Sequence, residues 1–317
     1  MALEARPLAP SGTQIELTCA DRRAVVTSVG AGLRAYAAGG RDVVDGYGAD
    51  EMSPGGRGQL LIPFPNRVQG GRYDFGGRTH HLALNEPEAG NAIHGLTRWT
   101  EWMLVRAEPH TAVFEHLLHP RPGYPFSLAL RVEYALDAAG LAVATKATNI
   151  GAGPCPYGCG AHPYLTAGTA TVDTATLRVP ARTVLHSDAH GIPTGREPVA
   201  GTAFDFRRPR PIGATRLDNA FTDLDRDGDG IARVELRDPA GRTSVVLWAD
   251  ASHPYLMVFS GDTLPQPERR RSLAVEPMTC PPNAFRTGEG VVTLEPGESF
   301  TSRWGIAPGG AEGRAWP

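Results

Sequence analysis

The chain carries no surplus of charge of either sign: its formal net charge is −3 at pH 7. Nucleic acid and an anionic membrane face are therefore not expected as partners. Arginines cluster only briefly, at Arg207, Arg208 and Arg210 and again at Arg269, Arg270 and Arg271, with no aromatic residue between them. Such short runs read as solvated surface, not as a phosphate track. Cysteine is scarce, and Cys19, Cys155, Cys159 and Cys280 form no CxxC pair. The Cys155–Cys159 spacing fits structural zinc poorly. Reduced, buried thiols in a cytoplasmic protein are expected. The opening stretch, MALEARPLAPSGTQ, lacks a basic segment followed by an apolar run, so no signal peptide is expected. No apolar run approaches the length of a membrane span. Also missing are a repeat of fixed period, a linker-like shift in composition, and any sustained 3.6-residue apolar stripe.

What the sequence does have is alternation. From Ser127 to Leu136, one face carries Leu128, Leu130, Val132, Tyr134 and Leu136, and the other carries Arg131, Glu133 and Asp137. That pattern predicts a half-buried antiparallel strand. The turn Asp137-Ala138-Ala139-Gly140 leads into a second strand from Leu141 to Ile150. Shorter hairpins are predicted at Leu33–Ala37 with Asp42–Asp45, at Arg72–Phe75 with Arg78–Leu82, and at Ile231–Leu236 with Ser244–Ala249. Further strands are predicted at Tyr255–Ser260, Leu273–Val275 and Phe300–Ile306. With 38 glycines and 28 prolines to make turns, the chain reads as an all-β sandwich or barrel. One domain over residues 1–317 is expected, with loose ends at about 1–12 and 308–317.

Five segments crowd polar and aromatic groups against Gly and Pro. They are Pro63-Phe64-Pro65-Asn66-Arg67-Val68, Asn91-Ala92-Ile93-His94-Gly95, Gly160-Ala161-His162-Pro163-Tyr164-Leu165, Leu217-Asp218-Asn219-Ala220-Phe221 and Ala274-Val275-Glu276-Pro277. Each has an ordinary structural reading when taken alone. His162 before Pro163 is held extended, Asp218-Asn219 makes an ordinary turn, Arg67 pairs with a surface acid, and Glu276 ends a strand and faces water.

Taken together, and with Gly70-Gly71-Arg72-Tyr73 and Leu84-Asn85-Glu86 between the first two, they resemble the aldose 1-epimerase (galactose mutarotase) family. The resemblance runs from about residue 20 to residue 306. It implies a large twisted antiparallel β-sandwich with an open sugar cleft. It also implies that His162 is the general acid and Glu276 the general base. Arg67, His94 and Asp218 would bind sugar hydroxyls, with Asn66 and Tyr164 beside them. The implied partner is a small-molecule sugar, bound by a monomer or a homodimer, with no cofactor and no metal.

The chemistry asks for such a pair. A base takes the proton of the anomeric hydroxyl while an acid protonates the ring oxygen. The open aldehyde rotates, and the ring closes on its other face with the roles reversed. Each well-placed proton transfer contributes roughly 10²–10⁴-fold. Imidazole titrates near 6.5, so a nearby carboxylate such as Glu276 is expected to raise His162 and keep it charged.

Ala161, Leu96, Pro277 and Met278 depart from the residues usual in galactose-acting members, which leaves the sugar open. Trp99 and Trp102 are candidates for an apolar face against a pyranose, with a core role the ordinary reading. The run Asp223-x-Asp225-x-Asp227-Gly228-Asp229-Gly230 begins like a calcium loop. Its twelfth position is Val234, or Leu236 in the alternative register, so an acidic surface turn is expected. Two other functions fit the same motifs. One is a sugar-binding protein without catalysis; the other is a hexose-6-phosphate epimerase using Arg67 and Arg98.

Overall fold

The computed structural model describes residues 9–309. Two antiparallel sheets dominate it. One begins at Gln14–Cys19 and runs through Arg22–Thr27, Leu33–Ala38, Arg41–Val44, Tyr164–Leu165, Leu273–Met278, Tyr255–Phe259, Asp218–Leu224 and Ala181–Ser187 to Pro193–Pro198. The other runs from Met103–Glu108 through Thr111–Leu118, Leu128–Leu136, Leu141–Asn149, Ser299–Pro308, Ser244–Ala249, Ala232–Arg237 and Thr176–Arg178 to Arg210–Pro211. The only α-helix among the described residues is a single turn, Ala284–Thr287. No helix among them is long and apolar enough to cross a membrane.

The predicted alternation is present in the second sheet. Leu128, Leu130, Val132, Tyr134 and Leu136 are buried, and Leu141 to Asn149 repeats the pattern against them. Each such side chain withdrawn from water contributes about 1.5–3 kcal/mol. The buried faces of both sheets join one core, which includes Val26, Tyr36, Val258 and Val275 from the first and Phe114, Val132, Leu247 and Trp304 from the second. The Tyr134 hydroxyl crosses the interior and donates to the Ala31 carbonyl at 2.6 Å.

Two expectations need correction. The strand predicted to stop at Val275 continues through Glu276 and Pro277 to Met278, and all six of its residues are buried. Glu276 is thus a mid-strand residue and does not face water. Of the residues expected to be loose, 1–8 and 310–317 lie outside the described residues. Within the described part, Ser11 is buried and accepts from the Val29 amide at 3.1 Å, while Pro308 pairs with Val245. The cysteines are free thiols, with Cys155, Cys159 and Cys280 buried.

Candidate active site

Side chains alternate across a strand. Leu273 and Val275 point into the main core, so Glu276 and Met278 point to the other face of the sheet. The register extends that face sideways. Tyr164 lies opposite Ala274, Ala274 opposite Phe259, and Phe259 opposite Asp218. One rung along, Glu276 lies opposite Met257, Met257 opposite Ala220, and Ala220 opposite Leu185. Leu185, Ala220, Tyr255, Met257 and Met278 form a small apolar cluster separate from the main core. Glu276 and Asp218 lie on the same face of the sheet as this cluster.

His162 arrives by the same register. Gly160 pairs with Met278 and Tyr164 with Ala274. Counting between those pairs brings His162 opposite Glu276, where cross-strand side chains are neighbours. The Nε2 of His162 lies 3.3 Å from the Oε1 of Glu276. Both residues are buried, at 5 % and 2 % exposure. The imidazole stacks on Tyr164, with ring centres 5.0 Å apart and planes 8° apart, and meets the His94 ring nearly edge-on at 5.3 Å. Gly56 packs on its other atoms: a Cβ there would come 2.9 Å from the His162 Cδ2, and its φ of +79° already favours glycine.

His94 and Asn66 both hold left-handed backbone, with φ of 62° and 53°. That conformation costs a non-glycine residue about 1–3 kcal/mol. The two are tied together, since the His94 amide donates to the Asn66 carbonyl at 2.9 Å, while the Asn66 side chain accepts from the Arg67 amide. Short pairing of Arg67–Gln69 with Asn91–Ile93 holds both corners. Gly95, next in line, has its α-carbon so close to Ile62 that a Cβ would meet the Ile62 carbonyl oxygen at 2.2 Å.

Arg67 does not stand free. Its Nε and Nη2 donate to the two carboxylate oxygens of Glu86, each at 2.8 Å. Such a bidentate fork fixes the guanidinium in its plane. Asn91 supports it from the side, donating to Glu86 and to the His190 carbonyl. The backbone of Gly191 lies flat against the guanidinium, where any Cβ would collide. Asp218 is open to solvent, yet surrounding atoms crowd its carboxyl and push its pKa up, with Glu86 and Asp262 adding to the push and Arg67 opposing it. Solvent access combined with crowding describes a residue in a concave cleft.

The electrostatics reverse one expectation. His162 is not raised by its carboxylate neighbour. Burial lowers it to about 3, and the charges of Arg57 and Arg98 act in the same direction. Glu276 is pushed well above the ordinary carboxylate range, first by burial and then by Asp218, with Arg67 pulling the other way. Desolvation disfavours the charged form of each. Burial thus disfavours an isolated charge on either residue, and one proton held between the two groups leaves the pair without net charge. His94 is likewise held neutral by burial, with His162, Arg98 and Arg67 reinforcing it. The Nδ1 atoms of His94 and His162 and the Oε2 of Glu276 are buried without a protein partner.

Sequence reasoning gave no role to three residues found here. Glu86 sits in the Leu84-Asn85-Glu86 motif, which was its signal. Phe259 lies opposite Asp218 in the sheet register, and its strand was predicted without its facing. Arg57 touches the Tyr164 ring, and nothing in the sequence marked it. Trp102 is core, 1 % exposed, while Trp99 is exposed with the Arg98 guanidinium 5.5 Å from its ring. Three of the four acids at 223–229 already have partners: Asp223 accepts from Thr183, Asp225 pairs with Arg182, and Asp227 pairs with Arg233 and accepts from the Asp229 and Ile231 amides. Among the described residues no three His, Cys, Asp or Glu side chains are grouped to hold a metal ion.

The two antiparallel sheets and the site on one of them define a galactose mutarotase-like sandwich. A GalM/aldose epimerase homologue from Caenorhabditis elegans superposes with a TM-score of 0.83 over 93 % of this chain and 98 % of its own, at 19 % identity. The chain belongs to the aldose 1-epimerase family, whose pattern it matches over residues 13–307. It is 36 % identical to YihR, an uncharacterised protein of Escherichia coli K12, over 91 % of each chain. It is 28 % identical to the E. coli aldose 1-epimerase, over 77 % of this chain and 78 % of that one.

Proposed function

We propose that the protein is an aldose 1-epimerase that interconverts α and β anomers of an aldose, with His162 and Glu276 as its acid–base pair. The observation that carries this reading is the buried contact of 3.3 Å between His162 Nε2 and Glu276 Oε1. A pair sharing one proton can run the reaction in either tautomer. In one, Glu276 donates to the ring oxygen while His162 takes the anomeric proton; in the other, the roles are exchanged. Closure on the opposite face uses whichever tautomer the opening left behind. Every turnover thus returns the pair to its starting proton count, and no net charge enters the buried site.

The unpaired Nδ1 of His94 and Oε2 of Glu276 supply hydrogen-bonding capacity that sugar hydroxyls satisfy. Leaving such atoms unsatisfied costs about 1–3 kcal/mol each, so a polyhydroxyl ligand is favoured over an apolar one. Arg67, fixed by Glu86, and Asp218 offer a donor and an acceptor at the same cleft. In this reading Asn66 orients Arg67 and His94, and Tyr164 braces His162.

A second substrate class is supported by Arg98. Its Nε is buried without a partner, its Nη1 donates to the Gln59 side chain at 3.4 Å, and burial lowers its pKa. Arg67, by contrast, is already neutralised by Glu86. One unneutralised cation suits an anionic sugar, such as a hexose 6-phosphate, more than it suits a neutral one. A polarimetric screen over freshly dissolved glucose, galactose and other aldoses, together with their 6-phosphates, decides between the two. Faster equilibration of at least one of them is expected. Tight binding of sugars with no gain in rate would instead indicate a sugar-binding protein.

A further inference from the structure

Arg57 is among the most deeply buried side chains of the protein, at 1 % exposure, and it lies in a turn of glycines. A buried guanidinium is expensive unless its position does something. Its surroundings show what it reaches. Its Cζ sits 4.4 Å from the centre of the Tyr164 ring, and that ring is the one stacked on His162. Its Nη2 donates to Asp45 at 3.2 Å, and its Nη1 to the Pro54 carbonyl at 3.3 Å.

The turn is stitched to the His162 segment along its length. The Tyr164 hydroxyl donates to the Gly55 carbonyl at 2.8 Å. The Gly58 amide donates to the His162 carbonyl at 2.9 Å, and the His162 amide to the Gln59 carbonyl at 3.0 Å. Gly56 abuts the imidazole itself. The segment 54–59 thus forms a bracket around residues 162–164, and Arg57 is its one charged member.

We propose that Arg57 is a positioning residue for the acid–base pair: anchored by Asp45, its guanidinium clamps the Tyr164 ring against His162 and so fixes the imidazole toward Glu276. A cation over an aromatic face is attracted by the ring, the more so when desolvated. The same charge faces His162 and disfavours a second proton on the pair. The other groups facing His162 are Glu276, Tyr164, His94 and Arg98. Of these only Arg98 is another fixed cation. Asp45 also holds Arg271 and Ser272, so removing Arg57 leaves no stranded carboxylate and the fold should survive.

This inference rests on the proposed epimerase reading, and its test includes a readout independent of activity. The imidazole of His162 is followed by NMR in histidine-labelled protein across a pH titration, alongside kcat/KM for mutarotation. In Arg57→Met the His162 midpoint is expected to rise, and kcat to fall while KM changes little. In Arg57→Lys, which keeps the charge and loses the plane, the midpoint stays near that of the parent protein and kcat still falls. An unmoved midpoint in Arg57→Met, or parental kcat in both variants, overturns the proposal. In a protein that accelerates no mutarotation, a shifted midpoint in Arg57→Met together with displaced His162 ring resonances in Arg57→Lys supports the clamp and counts against the epimerase reading alone.

Discussion

Replacing Glu276 with Gln is expected to cut catalysed mutarotation roughly 10²–10⁴-fold, the contribution of one well-placed proton-transfer group. Gln has the same shape and can still hydrogen-bond to His162, so the cleft stays intact while the exchangeable proton is lost. The same substitution is expected to stabilise the fold at neutral pH. The carboxyl of Glu276 is raised in the folded chain above its ordinary 4.5. In the unfolded chain it ionises at that ordinary value. Folding above pH 4.5 must therefore take up a proton or bury a charge, and the cost grows with pH until the raised folded value is reached. Gln removes that cost. Thermal melts should show parent and Glu276→Gln together near pH 4 and the variant more stable at pH 7. Parental activity in the variant would remove Glu276 from the chemistry; equal melting at both pH values would contradict its raised pKa.

The second large effect concerns His162. His162→Gln is expected to lose activity by a similar factor, because a carboxyl without its partner has nowhere to pass its proton. Groups that act as a unit are strongly non-additive. The double variant, His162→Gln with Glu276→Gln, is therefore expected to be no slower than the slower single variant. Additive losses, multiplying to the product of the two factors, would mean that each residue works on the substrate independently. Circular dichroism of all three variants guards against misfolding, and the single His162→Gln change carries its own signature. His162 is lowered by burial, so the unfolded chain binds more protons below 6.5 and the parent loses stability as pH falls from there toward about 3. The variant should lose less over that window.

The fold was largely legible because its exposed-face strands alternate. Leu128–Leu136 and Leu141–Asn149 are buried on one side only, and their period of two is visible in the residue types. Leu273–Met278 was misjudged for the opposite reason. It is buried on both faces, one against the core and one at the site, so no alternation marks it, and Pro277 reads as a stop.

The site was legible as a set of motifs but not as an arrangement. Register explains how His162 meets Glu276 across two strands more than a hundred residues apart, and register is a tertiary fact. The direction of the His162 shift was misjudged because a neighbouring carboxylate can be named from sequence, whereas burial depth cannot. At this site desolvation outweighs the neighbour. Arg57 left no trace, since a lone Arg among glycines looks like surface until Tyr164 is found over it. Glu86, by contrast, stands within the Leu84-Asn85-Glu86 motif, and only its bidentate hold on Arg67 was hidden.

The central claim is that His162 and Glu276 share one proton across the working pH range. The pH profile of kcat/KM reports the free protein's essential groups and tests this most directly, using whichever aldose the screen finds fastest. The one-proton form is lost on the acid side only when His162 takes a second proton, at about 3. On the alkaline side it is lost when Glu276 gives up its own, well above 4.5. The profile should therefore pass through 6.5 without a break on its acid limb and turn down only far below it. An acid limb centred near 6.5 would show an imidazole titrating as if in water and would contradict the shared-proton pair.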